Sequence, residues 1–219
     1  PEGDTIFRTA QTLQRALAGR DVTRFDSVFP HLSRVHEDAP MTGRTVEAVQ
    51  SVGKHLLITF SGDVVLRSHM RMRGSWHLYR PGERWQRARA AMRILIGTDA
   101  FEAVAFHVHD ASFHTKRTLA RDSAVGRLGP DLLGEPWSPD PMAVSAAMSV
   151  SPMSVSANPL QVVRKGLPTP FRQPPDVPIG LALLDQWRVA GIGNVYKSEV
   201  LFLSGISPFT RVSTIDDEQ

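Results

Sequence analysis

The residues best suited to chemistry stand at the head of the chain, Pro1-Glu2-Gly3. A free N-terminal proline is a secondary amine with an α-amino pKa near ~8, against ~10.4 for a lysine side chain. At pH 7 a fraction of order one-tenth is therefore neutral and nucleophilic. Attack by such an amine on a carbon like a sugar C1′ gives an iminium, a covalent Schiff base. Glu2 beside it can act as general acid or base. Taken alone, a leading proline can also be no more than the first residue present. Gly53-Lys54-His55 lies between two strand-like runs, where a lysine at a hairpin tip either reaches a phosphate or active site or is an ordinary surface residue. In Gly191-Ile192-Gly193-Asn194-Val195-Tyr196 two glycines turn the chain into a helical run. Asn194 is expected to cap that helix, leaving its first-turn N–H groups facing outward to hold an anion such as a phosphate.

Two further clusters are worth weighing. His69-Met70-Arg71-Met72-Arg73-Gly74 joins two strand-like runs. Long flexible side chains at such a tip can wedge into a duplex and fill the gap left by an extruded base; the plainer reading is an exposed basic turn with one methionine in the core. His107, His109, Asp110 and His114 have the residue types of metal ligands, and on a strand His107 and His109 share a face. No third ligand follows at a telling spacing, so they read as polar strand-edge residues and no metal site is expected.

Charge narrows the partners. The stretch Arg67–Arg93 holds eight arginines and one acid, Glu83, and arginine far outnumbers lysine throughout. Arginine's planar fork suits phosphate oxygens, so this reads either as a solvated basic face or as a polyanion-binding surface. The chain has 219 residues and a formal charge of +3, enough for one large domain or two modest ones. It has no cysteine, which excludes thiol chemistry, disulfides and cysteine-built zinc sites within it. No run is apolar and long enough for a membrane span, and the first residues do not read as a signal peptide. A cytoplasmic protein is expected.

These groups need elements to hold them. Ile6, Ala10, Leu13 and Leu17 fall at helical spacing and predict a helix over 4–18 ending at Gly19. Strands are expected at 45–52, 55–60, 64–68, 75–79, 92–96 and 103–108, punctuated by glycine and proline. Such regular spacing predicts an antiparallel sandwich or barrel with the first helix beside it. Beyond residue 115 helical patterns take over, at 116–120, 179–186 and 194–203, and a further helix is expected over Met142–Ser149. A Gly/Pro cluster puts a domain boundary near 120–135.

In order and separation, Pro1-Glu2-Gly3, Gly53-Lys54-His55-Leu56-Leu57, Arg127-Leu128-Gly129-Pro130-Asp131-Leu132-Leu133, Leu183-Leu184-Asp185-Gln186 and the run Ala190–Glu199 resemble the formamidopyrimidine-DNA glycosylase/endonuclease VIII family over nearly the whole chain. The Pro-Glu-Gly opening and the 69–74 turn lean towards its endonuclease VIII-like, actinobacterial-type branch. The resemblance implies an α+β fold: an N-terminal antiparallel β-sandwich with flanking helices (residues 1–125), then a helical DNA-binding domain with a helix–two-turns–helix motif (126–219). It implies a bifunctional base-excision repair glycosylase and abasic-site lyase, cleaving by β,δ-elimination and acting on oxidised bases, pyrimidines by branch. Carried over by position, Pro1 is the nucleophile, Glu2 assists sugar-ring opening and proton transfer, and Lys54 holds phosphate beside the lesion. Asn194 binds backbone phosphate, His69 and Met72 match a His-x-x-Met wedge, and Arg71, Met72 and Arg73 fill the void. The partner is double-stranded DNA with an oxidised base or abasic site, bound by a monomer in a bacterial, nucleoid-associated cytoplasm.

The chain departs from the family pattern in places. Thr5 stands where the family commonly has glutamate. The family usually ends in a four-cysteine zinc finger, and without cysteine this chain is expected to carry no cofactor. Residues 138–178 match poorly, and no arginine–phenylalanine pair is evident near Asp110–Lys116. A catalytically impaired module that binds damaged DNA is therefore the alternative to an active enzyme. A metal-dependent hydrolase built on His107 and His109 is a remote third.

Overall fold

In the computed structural model, residues 1–129, 131 and 177–215 are described. The chain opens with α1 (Gly3–Leu17), whose buried residues Ile6, Ala10, Leu13 and Leu17 are the ones whose spacing predicted it. It stops where Gly19 takes a left-handed φ of 77°. β1 (Arg24–Ser27) and α2 (Pro30–Asp38) follow. Then come β2 (Val46–Val52), β3 (His55–Phe60), β4 (Val64–His69), β5 (Ser75–Tyr79), β6 (Met92–Gly97), β7 (Glu102–Phe106) and β8 (Asp110–His114).

The strands form two four-stranded sheets, ordered β1-β6-β7-β5 and β2-β3-β4-β8, with antiparallel pairing throughout. Between them Leu56, Ile58, Phe60 and Leu66 of one sheet meet Ile94, Ile96, Ala103 and Ala105 of the other, and α1 closes the core against β2. This is the expected sandwich, reached by apolar residues that point inward at every second position. β3 is buried at all six positions. Its other face is also covered: Leu57 packs with Val52 and Val65 against Leu119 and Val125.

Three elements were not expected. β1 has one buried residue, Phe25, and α2 buries only Leu32, so neither carries a readable period. β8 is a polar edge strand and likewise shows no apolar alternation. The 103–108 strand ends two residues early. His107 turns the chain with φ 53°, so His107 and His109 lie in a loop and do not share a strand face as expected. The arginine-rich stretch does not form one surface either. Arg67 lies on β4, on the outer side of the β2-β3-β4-β8 sheet with Leu57 and Val65. Residues 80–91 instead run over the outer side of the other sheet, where Trp85 packs on Tyr79, Leu95, Val104 and Phe106.

The chain then enters α3 (Lys116–Asp122), capped reciprocally by Thr115 and Thr118, and a 3-10 turn at Val125–Arg127. In the helical part, α4 (Ile179–Leu184) and α5 (Asn194–Leu203) are joined by two turns. α4 ends two residues earlier than expected, because the Asp185 side chain accepts from the N–H of Trp187 and the guanidinium of Arg188 and folds the first turn. Ile179, Ala182, Leu183, Val189, Ile192, Leu201 and Ile215 form a core separate from that of the sandwich. The helix expected over Met142–Ser149 lies outside the described residues.

Candidate active site

The N-terminus is the seam between the two parts. Glu2 is the N-cap residue of α1, but its side chain makes no bond to that helix; the carboxylate crosses instead to the start of α5. There it accepts from the backbone N–H groups of Gly193 at 3.1 Å, Val195 at 2.8 Å and Tyr196 at 3.2 Å. A helix N-terminus carries unpaired N–H groups and partial positive charge, so an anion is at home there. The anion is the protein's own carboxylate, which corrects the expectation that these groups face outward for an external one. Asn194 is not the cap. Gly193 holds that position, and Asn194 is the exposed first helical residue, its Oδ1 accepting from Lys197 Nζ at 3.3 Å.

Glycines allow the approach. A Cβ on Gly193 would sit 2.5 Å from Glu2 Cδ, and one on Gly3 would sit 2.9 Å from Gly191 Cα. The Gly3 N–H donates to the Gly191 carbonyl at 2.9 Å. Pro1, half-buried, thus precedes a residue tied to the helical part through its own carboxylate and through the next backbone N–H. Asp4, next along, is held by Arg8 at 2.6 Å, while Thr5 is exposed and offers its hydroxyl to Asp4.

Lys54 reaches the same seam. The tip of the β2–β3 hairpin needs a left-handed residue, Gly53 with φ 57°, whose N–H donates to Asp131 Oδ2 at 2.6 Å. Lys54 Nζ donates to the Ile192 carbonyl at 2.6 Å. Burial lowers the Lys54 pKa below the usual lysine range, and the Glu2 carboxylate pulls against that shift. The same carbonyl accepts from Gln186 Nε2 at 2.9 Å, and Gln186 Oε1 accepts from the Gly191 N–H at 3.1 Å. Gln186 and Asp131 thus brace the turns that meet Glu2 and Lys54. Both lay in motifs used for the resemblance, yet nothing in their residue type alone marked them as positioning groups.

The turn after β4 stands beside Lys54, since β3 pairs with β4 so that His55 faces His69. Met70 is buried and anchors the turn, Gly74 N–H closes it on the Met70 carbonyl at 2.8 Å, and Met72 at its tip is 91% exposed. Arg71 takes φ 53° and its N–H donates to His69 Nδ1 at 3.0 Å; Arg73 is exposed. Below the turn Asp110 bridges two arginines, Arg67 at 2.5 Å and Arg71 at 3.3 Å. Arg67 also donates to His55 Nδ1 at 3.3 Å and to Ser112 Oγ at 3.2 Å. Burial first, then the neighbouring histidine and arginine charges, push His55 down to about 3. Burial and Arg71 push His69 down to about 4. Each imidazole is therefore neutral at physiological pH. With both Nδ1 atoms accepting, the proton sits on Nε2. These histidines offer hydrogen-bond donors, not charge. Nothing in the sequence disclosed Arg67 and Asp110 as their supports, because the contact joins strands 43 residues apart.

Lys54, His55, Arg67, His69, Gln186 and Trp187 are among the residues lining a cleft of about 470 Å³ beside this seam. Among the described residues no group of three or more His, Cys, Asp or Glu is placed to hold a metal ion. The chain has no cysteine, so its residues do not fit a four-cysteine zinc site. No helix among the described residues is long and apolar enough to cross a membrane.

Comparison with known proteins extends this geometry. The formamidopyrimidine-DNA glycosylase N-terminal domain matches residues 1–121, and the helix–two-turns–helix domain of the same enzymes matches residues 171–219. A probable endonuclease 8 2 of Streptomyces coelicolor is 39% identical over 216 residues, covering 98% of this chain and 67% of the relative. An endonuclease 8 2 of Mycobacterium tuberculosis is 37% identical, covering 99% of this chain and 73% of its own length. A DNA-(apurinic or apyrimidinic site) lyase of Mycolicibacterium smegmatis is 33% identical over 99% of the chain and 72% of the lyase. In fold, the chain is similar to Lactococcus lactis formamidopyrimidine-DNA glycosylase solved with DNA containing an oxidised pyrimidine, with a TM-score of 0.72 and 18% identity over 100% of this chain and 73% of that one. Two matching domains in the order the seam requires, with relatives of this identity over almost the full chain, leave one assignment: the chain belongs to the formamidopyrimidine-DNA glycosylase/endonuclease VIII family of DNA glycosylases and abasic-site lyases.

Proposed function

We propose that the chain binds double-stranded DNA, excises oxidised bases, pyrimidines above all, and cleaves the resulting abasic site through a Schiff base on Pro1. The observation that carries this reading is the seam itself. A secondary amine, the Glu2 carboxylate and the Lys54 ammonium are gathered where the β-sandwich meets the helix–two-turns–helix, with the Met72 turn projecting beside them. The endonuclease 8 relatives and the Lactococcus lactis enzyme, held in separate structures on oxidised-pyrimidine DNA and on a Fapy-dG lesion, support a damaged-base substrate, and the pyrimidine preference rests on the endonuclease VIII-like branch.

The chemistry follows from those groups. A damaged base is turned out of the stack at a cost of a few kcal/mol, least for weakened pairs, while Met72 fills the space it leaves. The neutral Pro1 nitrogen attacks C1′, and the C1′–N bond breaks with its electron pair leaving on the base, which gains a proton. Opening of the sugar ring, assisted by Glu2, gives the iminium between Pro1 and C1′. The iminium acidifies the C2′ hydrogen; its removal expels the 3′ phosphate, and a second elimination expels the 5′ phosphate. Water then releases Pro1. Lys54 holds a phosphate near the lesion, and Asn194, exposed on the first turn of α5, contacts the backbone.

Borohydride reduction of the reacting mixture tests the covalent step. A duplex carrying an oxidised pyrimidine is expected to yield a protein–DNA adduct attached at Pro1, and acetylation of the N-terminus is expected to abolish both adduct and nicking. No adduct, or one that survives acetylation, overturns the assignment.

A further inference from the structure

Trp187 is the residue the seam leaves unused. It sits in the first turn between α4 and α5, with its backbone N–H held on Asp185 Oδ1 at 3.1 Å, yet it is 59% exposed. Among the described residues no ring, cation or acceptor engages its indole. It nonetheless lines the 470 Å³ cleft together with Lys54, Arg67 and Arg71. Among the described residues of that lining the one carboxylate, Asp110, is already taken by Arg67 and Arg71, so they leave a surplus of positive charge. Ser112 and the neutral His55 add groups that exchange hydrogen bonds without charge. The volume falls in the range of about 300–1,000 Å³ typical of small-molecule sites.

An exposed aromatic plane inside a cationic pocket fits one kind of ligand well. A nucleotide displaced from a duplex brings a phosphate for the cations and a flat base for the ring, and base–aromatic stacking tolerates every base. An apolar peptide would gain nothing from the arginines. An acidic peptide would leave the indole wet. We propose that this cleft is a nucleotide subsite, resting on the DNA reading above, in which an unpaired base of the bound strand stacks on Trp187 while its phosphate meets Lys54 and Arg71.

The subsite is tested with two duplexes of equal length and charge, one with a single bulged thymidine and one with a bulged three-carbon linker in its place, which has no C1′ for Pro1 to attack. Binding is measured by fluorescence anisotropy at fixed salt. The wild-type protein is expected to bind the thymidine bulge more tightly by roughly tenfold, the scale of one base on one aromatic ring. Trp187→Ala is expected to erase that preference while melting with the wild type. Trp187→Phe, which keeps a plane, is expected to retain most of it. A preference that persists in Trp187→Ala, or wild-type binding that ignores the bulged base, overturns the subsite alone. Wild-type protein that binds neither duplex overturns the DNA reading and the subsite together.

Discussion

Glu2 has two tasks that a substitution can separate. Its carboxylate accepts three backbone N–H groups from the cap and first turn of α5, and in the proposed reaction it also moves protons during ring opening. Glu2→Gln keeps the size but turns an NH2 towards donors that need an acceptor, and removes the titrating group. Excision of an intact oxidised pyrimidine is expected to fall by about 10²–10⁴ in single-turnover assays, with a smaller loss on a ready-made abasic site. Excision at the wild-type rate would remove Glu2 from the proton path. His69 gives a pH prediction. Its pKa is about 4 in the folded chain against 6.5 unfolded, so the unfolded state binds the proton first as pH falls. The stability this group contributes is complete above pH 6.5 and erodes as pH drops through about 4, where the imidazolium can no longer accept from Arg71 N–H. Melting temperature is expected to fall over that window, and less steeply in His69→Asn. An unchanged pH profile in that variant would show that His69 is not the group responsible.

At the level of elements, the junctions matter more than the helices and strands. Gly193 exists as glycine because the Glu2 carboxyl lies where its Cβ would be. Gly193→Ala is expected to push the N-terminal residues aside by the order of 1 Å, and such a misplacement can cost about 10²-fold in rate. Nicking of an abasic duplex measures this; a loss under threefold would mean that the seam tolerates movement. Met72, 91% exposed at the tip of its turn, predicts a different pattern. Met72→Ala should slow excision of a well-paired lesion far more than of the same lesion in a mismatch, since only the former needs help leaving the stack. Equal effects on both would argue against a wedge. Much of this framework was legible beforehand. α1 and most strands of the sandwich followed from apolar period, and the turn into α5 followed from two glycines. What stayed hidden was polar or long-range. β8 has no apolar alternation, α2 buries a single leucine, and nothing local says that Glu2 will spend its oxygens on a helix 191 residues away. That single contact also explains why Asn194 was mistaken for the cap: the acceptor came from outside the element.

For the whole molecule, salt reports on the phosphate contacts that the proposed function requires. Phosphate contacts release counterions, so binding is expected to weaken steeply as salt rises. Lys54→Ala is expected to reduce the slope of log affinity against log salt by about one, with parallel losses on damaged and undamaged duplexes. An unchanged slope would mean that Lys54 makes no phosphate contact. Arg89 provides an internal comparison, because it stacks on Trp85 on the outer side of the other sheet and does not line this cleft. The bond between Glu2 and α5 has one more consequence. An amine that sits on a flexible leader would react with any passing aldehyde. Here its neighbour is moored to the opposite half, so in the proposed reaction the Pro1 nitrogen is aimed only while both halves stand in register. In that reaction, strain that DNA imposes on their relative tilt would reach the bond-forming atom, making grip on the substrate and readiness of the nucleophile a single mechanical variable.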